Sequence, residues 1–228
     1  MIFEVDGQAR QFEEASSGLM LPLPVVSDAE RLNIALASGS SNMGLETYLN
    51  TLGITEQDLK GLVLDLGSGN MERFSREASQ IGKVVVSLNP KLVGSNVVSE
   101  AKEGEGFENG WFSDYIESNV PWQRRSVAAI AQRLPFGNET FDTIVSTAAV
   151  PGYLARDDYH AAVDEIVRIL KPGGKAYFGP IYEKPDRDFS ESEFYAAIDL
   201  SGAERSVTEY DDPDFSFPYR QVTLTKKL

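Results

Sequence analysis

The residues best equipped for chemistry stand together in Asp65-Leu66-Gly67-Ser68-Gly69-Asn70, where an acid and two glycines close the apolar run Leu62-Val63-Leu64. A carboxylate here can accept hydrogen bonds or neutralise a cation. Each glycine lets the backbone turn sharply and lets a ligand approach the main chain closely. The pattern therefore predicts a nucleotide-sized hole at the end of a strand. Asp-x-Gly-x-Gly after a strand is shared by several nucleotide-binding designs, nicotinamide and flavin domains among them, and glycines in turns also serve purely structural ends. The run itself is apolar on both faces, as a buried parallel strand requires.

Other chemistries are poorly supplied. The chain has no cysteine and one histidine, His160, which excludes disulfides, a thiolate nucleophile, a thiolate zinc site and a multi-histidine metal site. No metal is expected. His160 falls inside a predicted helix and reads as a surface or helix-packing residue. The 228 residues carry a formal charge of −14, a field that repels phosphate backbones and makes nucleic acid an unexpected partner. No run approaches the roughly 18–20 apolar residues that span a bilayer. The start, Met1-Ile2-Phe3-Glu4-Val5-Asp6, lacks the basic and apolar regions of a secretory signal, so a cytoplasmic location without membrane contact is expected.

The elements that must hold the acid and glycines follow from periodicity. Residues 1–26 read as an irregular arm or lid, and Ser27-x-x-Glu30 is a capping box for a helix through Leu36. Leu45, Tyr48, Leu49 and Leu52 recur at helical spacing before Gly53. After the glycine turn, Glu72 to Ile81 is helical in pattern with Phe74, Ala78 and Ile81 on one side, and Lys83 to Asn89 is a valine-rich strand. Strand, turn, helix and strand make a βαβ unit. Residues 90–125 lose all pattern yet contain Trp111, Trp122, Phe107, Phe112 and Tyr115, which suits either a lid or a surface insertion.

Further along, Ser126 to Ile130 and Phe141 to Ser146 read as strands three and four, and Asp157 to Leu170 as a helix stopped by Lys171-Pro172-Gly173-Gly174. A strand from Lys175 to Ile181, a helix capped by Ser190-x-x-Glu193 and running to Leu200, and a hairpin of Arg205 to Tyr210 with Gln221 to Lys226 complete the chain.

Three motifs in order carry a family resemblance. Asp65-x-Gly67-x-Gly69, then Ala131-Gln132-Arg133-Leu134-Pro135-Phe136 with Phe141-Asp142-Thr143-Ile144-Val145, then Glu165-x-x-Arg168-x-Leu170-Lys171-Pro172-Gly173-Gly174 resemble the class I S-adenosylmethionine (AdoMet) dependent methyltransferases, in particular the type 11 group. The resemblance spans about residues 45–228. It implies an α/β, Rossmann-like seven-stranded, mostly parallel sheet with an antiparallel last strand and helices on both faces. Its division would be an N-terminal arm with packing helices over 1–60 and an AdoMet-binding domain over 61–228 carrying the insertion 90–125.

In that family Asp65, Gly67, Ser68 and Gly69 hold the methionine portion of the cofactor, Asn89 lies at the ribose, Ile130 and Ala131 border the adenine, and Ser146 sits beneath the cofactor near the methyl group. Three positions depart from the family pattern: Met71 replaces a third glycine, Asn89 the usual ribose acid, and Ile130 an aspartate that accepts from the adenine amino group. The implied function is methyl transfer from AdoMet to a small-molecule or protein acceptor, with a catalytically inactive binding or scaffold protein as the alternative. No catalytic base is assigned, and Tyr153 is a candidate for substrate contact. The nicotinamide reading loses its third glycine to Glu72, and Ser146 to Tyr153 lacks the Asn/Asp-Pro-Pro-aromatic motif of enzymes that methylate DNA bases.

Overall fold

The computed structural model describes residues 2–5, 8–14, 20–22, 43–69, 72–89, 125–127, 129–182, 189–210 and 218–228. The capping box at Ser27, the turn residues Asn70 and Met71, and the aromatic insertion with both tryptophans lie outside them.

The near-continuous apolar runs of the central strands form a seven-stranded sheet, because such runs need cover on both faces. Its strands are β4 (Leu62–Leu66), β5 (Val84–Leu88), β6 (Ser126–Val127), β7 (Phe141–Thr147), β8 (Leu170–Ile181), β9 (Glu204–Tyr210) and β10 (Tyr219–Thr225). Their spatial order is β6-β5-β4-β7-β8-β10-β9. β4 pairs in parallel with β5 and β7, and only β10 runs against its neighbours β8 and β9. The sheet is the doubly wound, mostly parallel arrangement expected from the resemblance, with β4 central and the order reversing beside it.

Alternation along each strand sends side chains to two cores. Leu64, Leu66, Ile144 and Phe178 pack with Val163 and Ile166 of helix α3 (Tyr159–Ile169) and Phe194 and Ile198 of α4 (Glu191–Leu200). Val63, Val85, Val145 and Tyr177 face the other way, against Tyr48 and Leu52 of α1 (Leu45–Leu52) and Phe74 and Ala78 of α2 (Arg73–Gln80). Gly53 ends α1 in the left-handed region at φ 58°. Ser190 caps α4 by accepting from the Glu193 amide at 3.4 Å. Among the described residues no helix is long and apolar enough to cross a membrane.

Four expectations change. The first residues are not irregular: β1 (Ile2–Val5), β2 (Gln8–Glu14) and β3 (Met20–Pro22) form a separate antiparallel sheet. Val5 pairs with Gln8, so only Asp6-Gly7 joins those two strands, and Asp-Gly is the two-residue hairpin signal. Ile81, assigned to the buried side of its helix, is 40% exposed because α2 ends one residue before it. Lys171-Pro172-Gly173-Gly174, expected to separate helix from strand, instead lies inside β8, which already begins at Leu170. The third strand stops at Val127, and Ile130 instead pairs with Arg133 in an isolated bridge.

Candidate active site

Asp65 occupies the penultimate position of the central strand, where its side chain faces α1 and α2 rather than solvent and is fully buried. The phenol of Tyr48, itself buried and stacked on Phe74 at 4.2 Å, donates to Asp65 Oδ1 at 2.9 Å. Asp65 Oδ2 has no partner among the described residues. Burial pushes the Asp65 carboxyl up to about 8, the charge of Glu72 pushes the same way, and the Tyr48 hydrogen bond only partly offsets them. The Tyr48 phenol is in turn raised well above its ordinary value by burial and by Asp65. At neutral pH the ligand-free carboxyl is therefore mostly protonated.

Asp65, Ser87 and Ser126 share one row across β4, β5 and β6, since Asp65 registers with Ser87 and Ser87 with Ser126. Each meets a polar group from a helix. Tyr48 serves Asp65, Ser75 bonds Ser87 through hydroxyl oxygens 2.6 Å apart, and Glu72 accepts from the Ser126 hydroxyl. Glu72 is only 2% exposed and holds the N-cap of α2 in the left-handed region at φ 50°. In the sequence Glu72 reads as a helix start and a missing glycine, and Tyr48 as one position of an amphipathic helix stripe. An acid abutting a glycine turn was a usable signal for Glu72, but Tyr48 reaches Asp65 only through the packing of α1.

The remaining cofactor candidates are placed as follows. Gly67 sits at φ 95°, and a Cβ there would lie 2.2 Å from the Ala149 Cβ, so the glycine is required by close approach as well as by conformation. The amides of Gly67 and Ser68 both donate to the Leu88 carbonyl, at 2.8 and 3.1 Å. Those two donors hold the turn onto β5. Gly69 is buried at φ 68° and accepts at its carbonyl from the Ser68 hydroxyl at 3.3 Å.

Ser146 is fully buried; its hydroxyl donates to the Leu66 carbonyl at 2.8 Å and accepts from the Val150 amide at 3.0 Å. It thus fastens the loop after β7 to the end of β4. Asn89, half-buried at the end of β5, donates its amide to Val127. Ile130 is half-buried and Ala131 buried, one strand further out.

Beyond the glycine turn a small, open pocket of about 70 Å³ lies at the carboxyl ends of β7 and β8. The loop after β7 contributes Ala148, Val150, Pro151, Gly152 and Tyr153 to its wall. The end of β8 and the chain beyond it contribute Pro180, Ile181, Tyr182 and Phe189. Ala149, which packs against Gly67, belongs to the same loop, so turn and pocket share a wall. Of these residues only Tyr153 was singled out in the sequence, and His160 is exposed on α3 outside the wall. Among the described residues no cluster of His, Cys, Asp and Glu is arranged to hold a metal.

The other two motifs bind each other at the opposite end of the sheet. Arg168 donates to both carboxylate oxygens of Glu165 at 2.7 and 2.8 Å, and to the carbonyls of Leu134 and Phe136 at 3.0 and 2.8 Å. Glu165 also accepts from the Leu134 amide at 2.8 Å. Glu165-x-x-Arg168 therefore clamps the Leu134-Pro135-Phe136 turn.

The sequence profile described as "Methyltransferase domain" matches residues 64–178, half of the chain, and the chain belongs to that family. Uncharacterized proteins of Mycobacterium tuberculosis and Mycobacterium bovis are 34% identical over 116 residues, covering 49% of this chain and 34% of theirs. The match thus spans about a third of those relatives' length.

Among solved structures, the 1,6-didemethyltoxoflavin-N1-methyltransferase of Burkholderia thailandensis, with 1,6-didemethyltoxoflavin and S-adenosylhomocysteine bound, superposes with a TM-score of 0.53 at 16% identity, covering 100% of this chain and 99% of that one. The magnesium protoporphyrin IX methyltransferase of Synechocystis PCC 6803, with S-adenosylhomocysteine bound, gives 0.54 at 13% identity over 90% and 89%. Both share the fold.

Proposed function

We propose that this chain is an AdoMet-dependent methyltransferase that binds its cofactor at the carboxyl end of β4 and takes a small-molecule acceptor in the adjoining pocket. The observation that carries the reading is the buried Oδ2 of Asp65, which has no partner among the described residues, beside the glycine turn. A buried acceptor left without a donor costs about 1–3 kcal/mol, so a fold retains one where a ligand supplies the donor. A cationic ammonium such as that of the cofactor's methionine end fits this oxygen and the raised carboxyl, which gains most from a nearby positive charge.

The residues divide the work. Asp65, with the turn Gly67 to Gly69, would hold the methionine end, while Asn89 would meet the ribose and Ile130 and Ala131 the purine. Ser146 acts indirectly by fixing the loop that separates turn from pocket. When bound, AdoMet supplies an electrophilic methyl group, so the protein's share of the reaction is chiefly alignment of the two ligands and exclusion of water. Two strained non-glycine residues, Glu72 at φ 50° and Ala148 at φ 56°, flank the junction, as strain retained for pre-organisation does.

Calorimetry with AdoMet and S-adenosylhomocysteine tests the reading. Binding of both in the micromolar range is expected. Neither heat nor thermal shift at millimolar ligand would leave the inactive scaffold as the surviving account.

A further inference from the structure

We infer that the acceptor is an uncharged, flat aromatic or heteroaromatic small molecule, seated between the loop after β7 and the end of β8; this rests on the methyltransferase reading and names the substrate class of that same site. Nine described residues line the pocket, and none carries Asp, Glu, Lys, Arg or His chemistry. The only polar side-chain atoms among them are the phenolic hydroxyls of Tyr153 and Tyr182. The remaining side-chain surface is aliphatic, prolyl or aromatic, and the main chain adds polar surface of its own.

Two physical arguments lead from that wall to that ligand. First, a charged group entering it would lose water and meet no opposite charge from the described wall, a cost of several kcal/mol. Lysine and arginine side chains, polyamines and carboxylic acids are disfavoured on that ground. Second, Tyr153, Tyr182 and Phe189 offer ring faces and edges, and aromatic pairs add about 0.5–1.5 kcal/mol beyond the area they bury. Two phenols then suffice to orient one or two ring heteroatoms.

The test uses the full chain saturated with S-adenosylhomocysteine and with its isoleucine and valine methyl groups isotopically labelled. Quinoline and indole are the probes, with a trimethylammonium compound and a short lysine peptide beside them. Quinoline or indole at millimolar concentration is expected to shift the methyl resonances of Ile181 and Val150 and to bind more tightly than either cationic probe. Tyr153→Ala and Tyr182→Ala are each expected to weaken quinoline about tenfold, or roughly 1.4 kcal/mol, with S-adenosylhomocysteine affinity unchanged.

Preference for the trimethylammonium probe would make the tyrosines a cation cage, and preference for the peptide would make the acceptor a protein; either overturns the inference. So do aromatic probes that leave both methyl groups unmoved while S-adenosylhomocysteine binds. Failure of S-adenosylhomocysteine itself to bind strikes the methyltransferase reading instead. Should a tyrosine variant not fold, the wild-type methyl shifts decide alone.

Discussion

Asp65 and Asp142 sit on adjacent strands of one sheet and are treated in opposite ways. Asp142, at the amino end of β7, accepts at Oδ2 from the Leu62 amide at 2.9 Å and from Lys171 Nζ at 2.7 Å. Its partial burial pushes upward, but Lys171 and the Leu62 amide outweigh that and hold the carboxyl below its ordinary value. Asp65, at the carboxyl end of β4, has one phenol, one oxygen without a partner among the described residues and a carboxyl raised to about 8. Acids at the amino end are saturated because their task is to join strands and turns. At the carboxyl end, where open α/β sheets take ligands, the acid is left short of partners. Unsatisfied and raised groups of this kind concentrate at functional sites.

The strongest way to probe the contrast is to cut the saturated pole. Arg168→Ala removes five hydrogen bonds to charged or carbonyl groups and is expected to lower stability by about 3 kcal/mol in urea unfolding. Cofactor affinity of the folded fraction should stay unchanged; a comparable loss of affinity would dissolve the distinction between the poles. Next is the junction: Gly67→Ala places a Cβ into Ala149 at φ 95° and should cost roughly 2 kcal/mol in cofactor binding or stability. Adding Ala149→Gly should recover part of the loss, and no recovery would mean that the clash is not its cause.

Asp65→Asn sharpens the comparison through pH. The native carboxyl, raised to about 8, retains a proton that the unfolded chain releases near its ordinary value of 3.8. Stability of the ligand-free protein conferred by that protonated group is complete below pH ~4 and declines as pH rises through the window up to ~8. Asn, which cannot ionise, should flatten this slope in denaturation measured across pH, and should weaken AdoMet about tenfold. An unaltered slope would place the titration elsewhere. The smallest effect is a gain: Asn89→Asp, which gives the ribose position a carboxylate, should tighten AdoMet by about 1 kcal/mol in calorimetry.

Legibility followed the same divide. The amphipathic helices, the capped start at Ser190 and the existence of the central strands depend on neighbours in sequence or on unbroken apolar runs, so local pattern revealed them. The hairpin Ile2 to Glu14 was also legible, through Asp6-Gly7, and was passed over because its strands mix polar and apolar residues without clean alternation. The acid and glycines of the site announced themselves by type and spacing. Their partners did not: Tyr48 meets Asp65 from 17 residues away, and Ser126 meets Glu72 across 54.

By itself the sequence determined a parallel sheet with two covered faces, an acid and a glycine turn at the end of its central strand, and motifs typical of one family. Periodicity and backbone freedom are properties of a short stretch of chain, and they survive without coordinates. Only the tertiary structure decided that the Gly67 and Ser68 amides are spent on Leu88, that the Ser146 hydroxyl is consumed in fastening a loop, and that a pocket whose described lining is uncharged opens at the ends of β7 and β8. Partner choice and desolvation depend on which distant surfaces meet, and that is fixed when the helices close over the sheet.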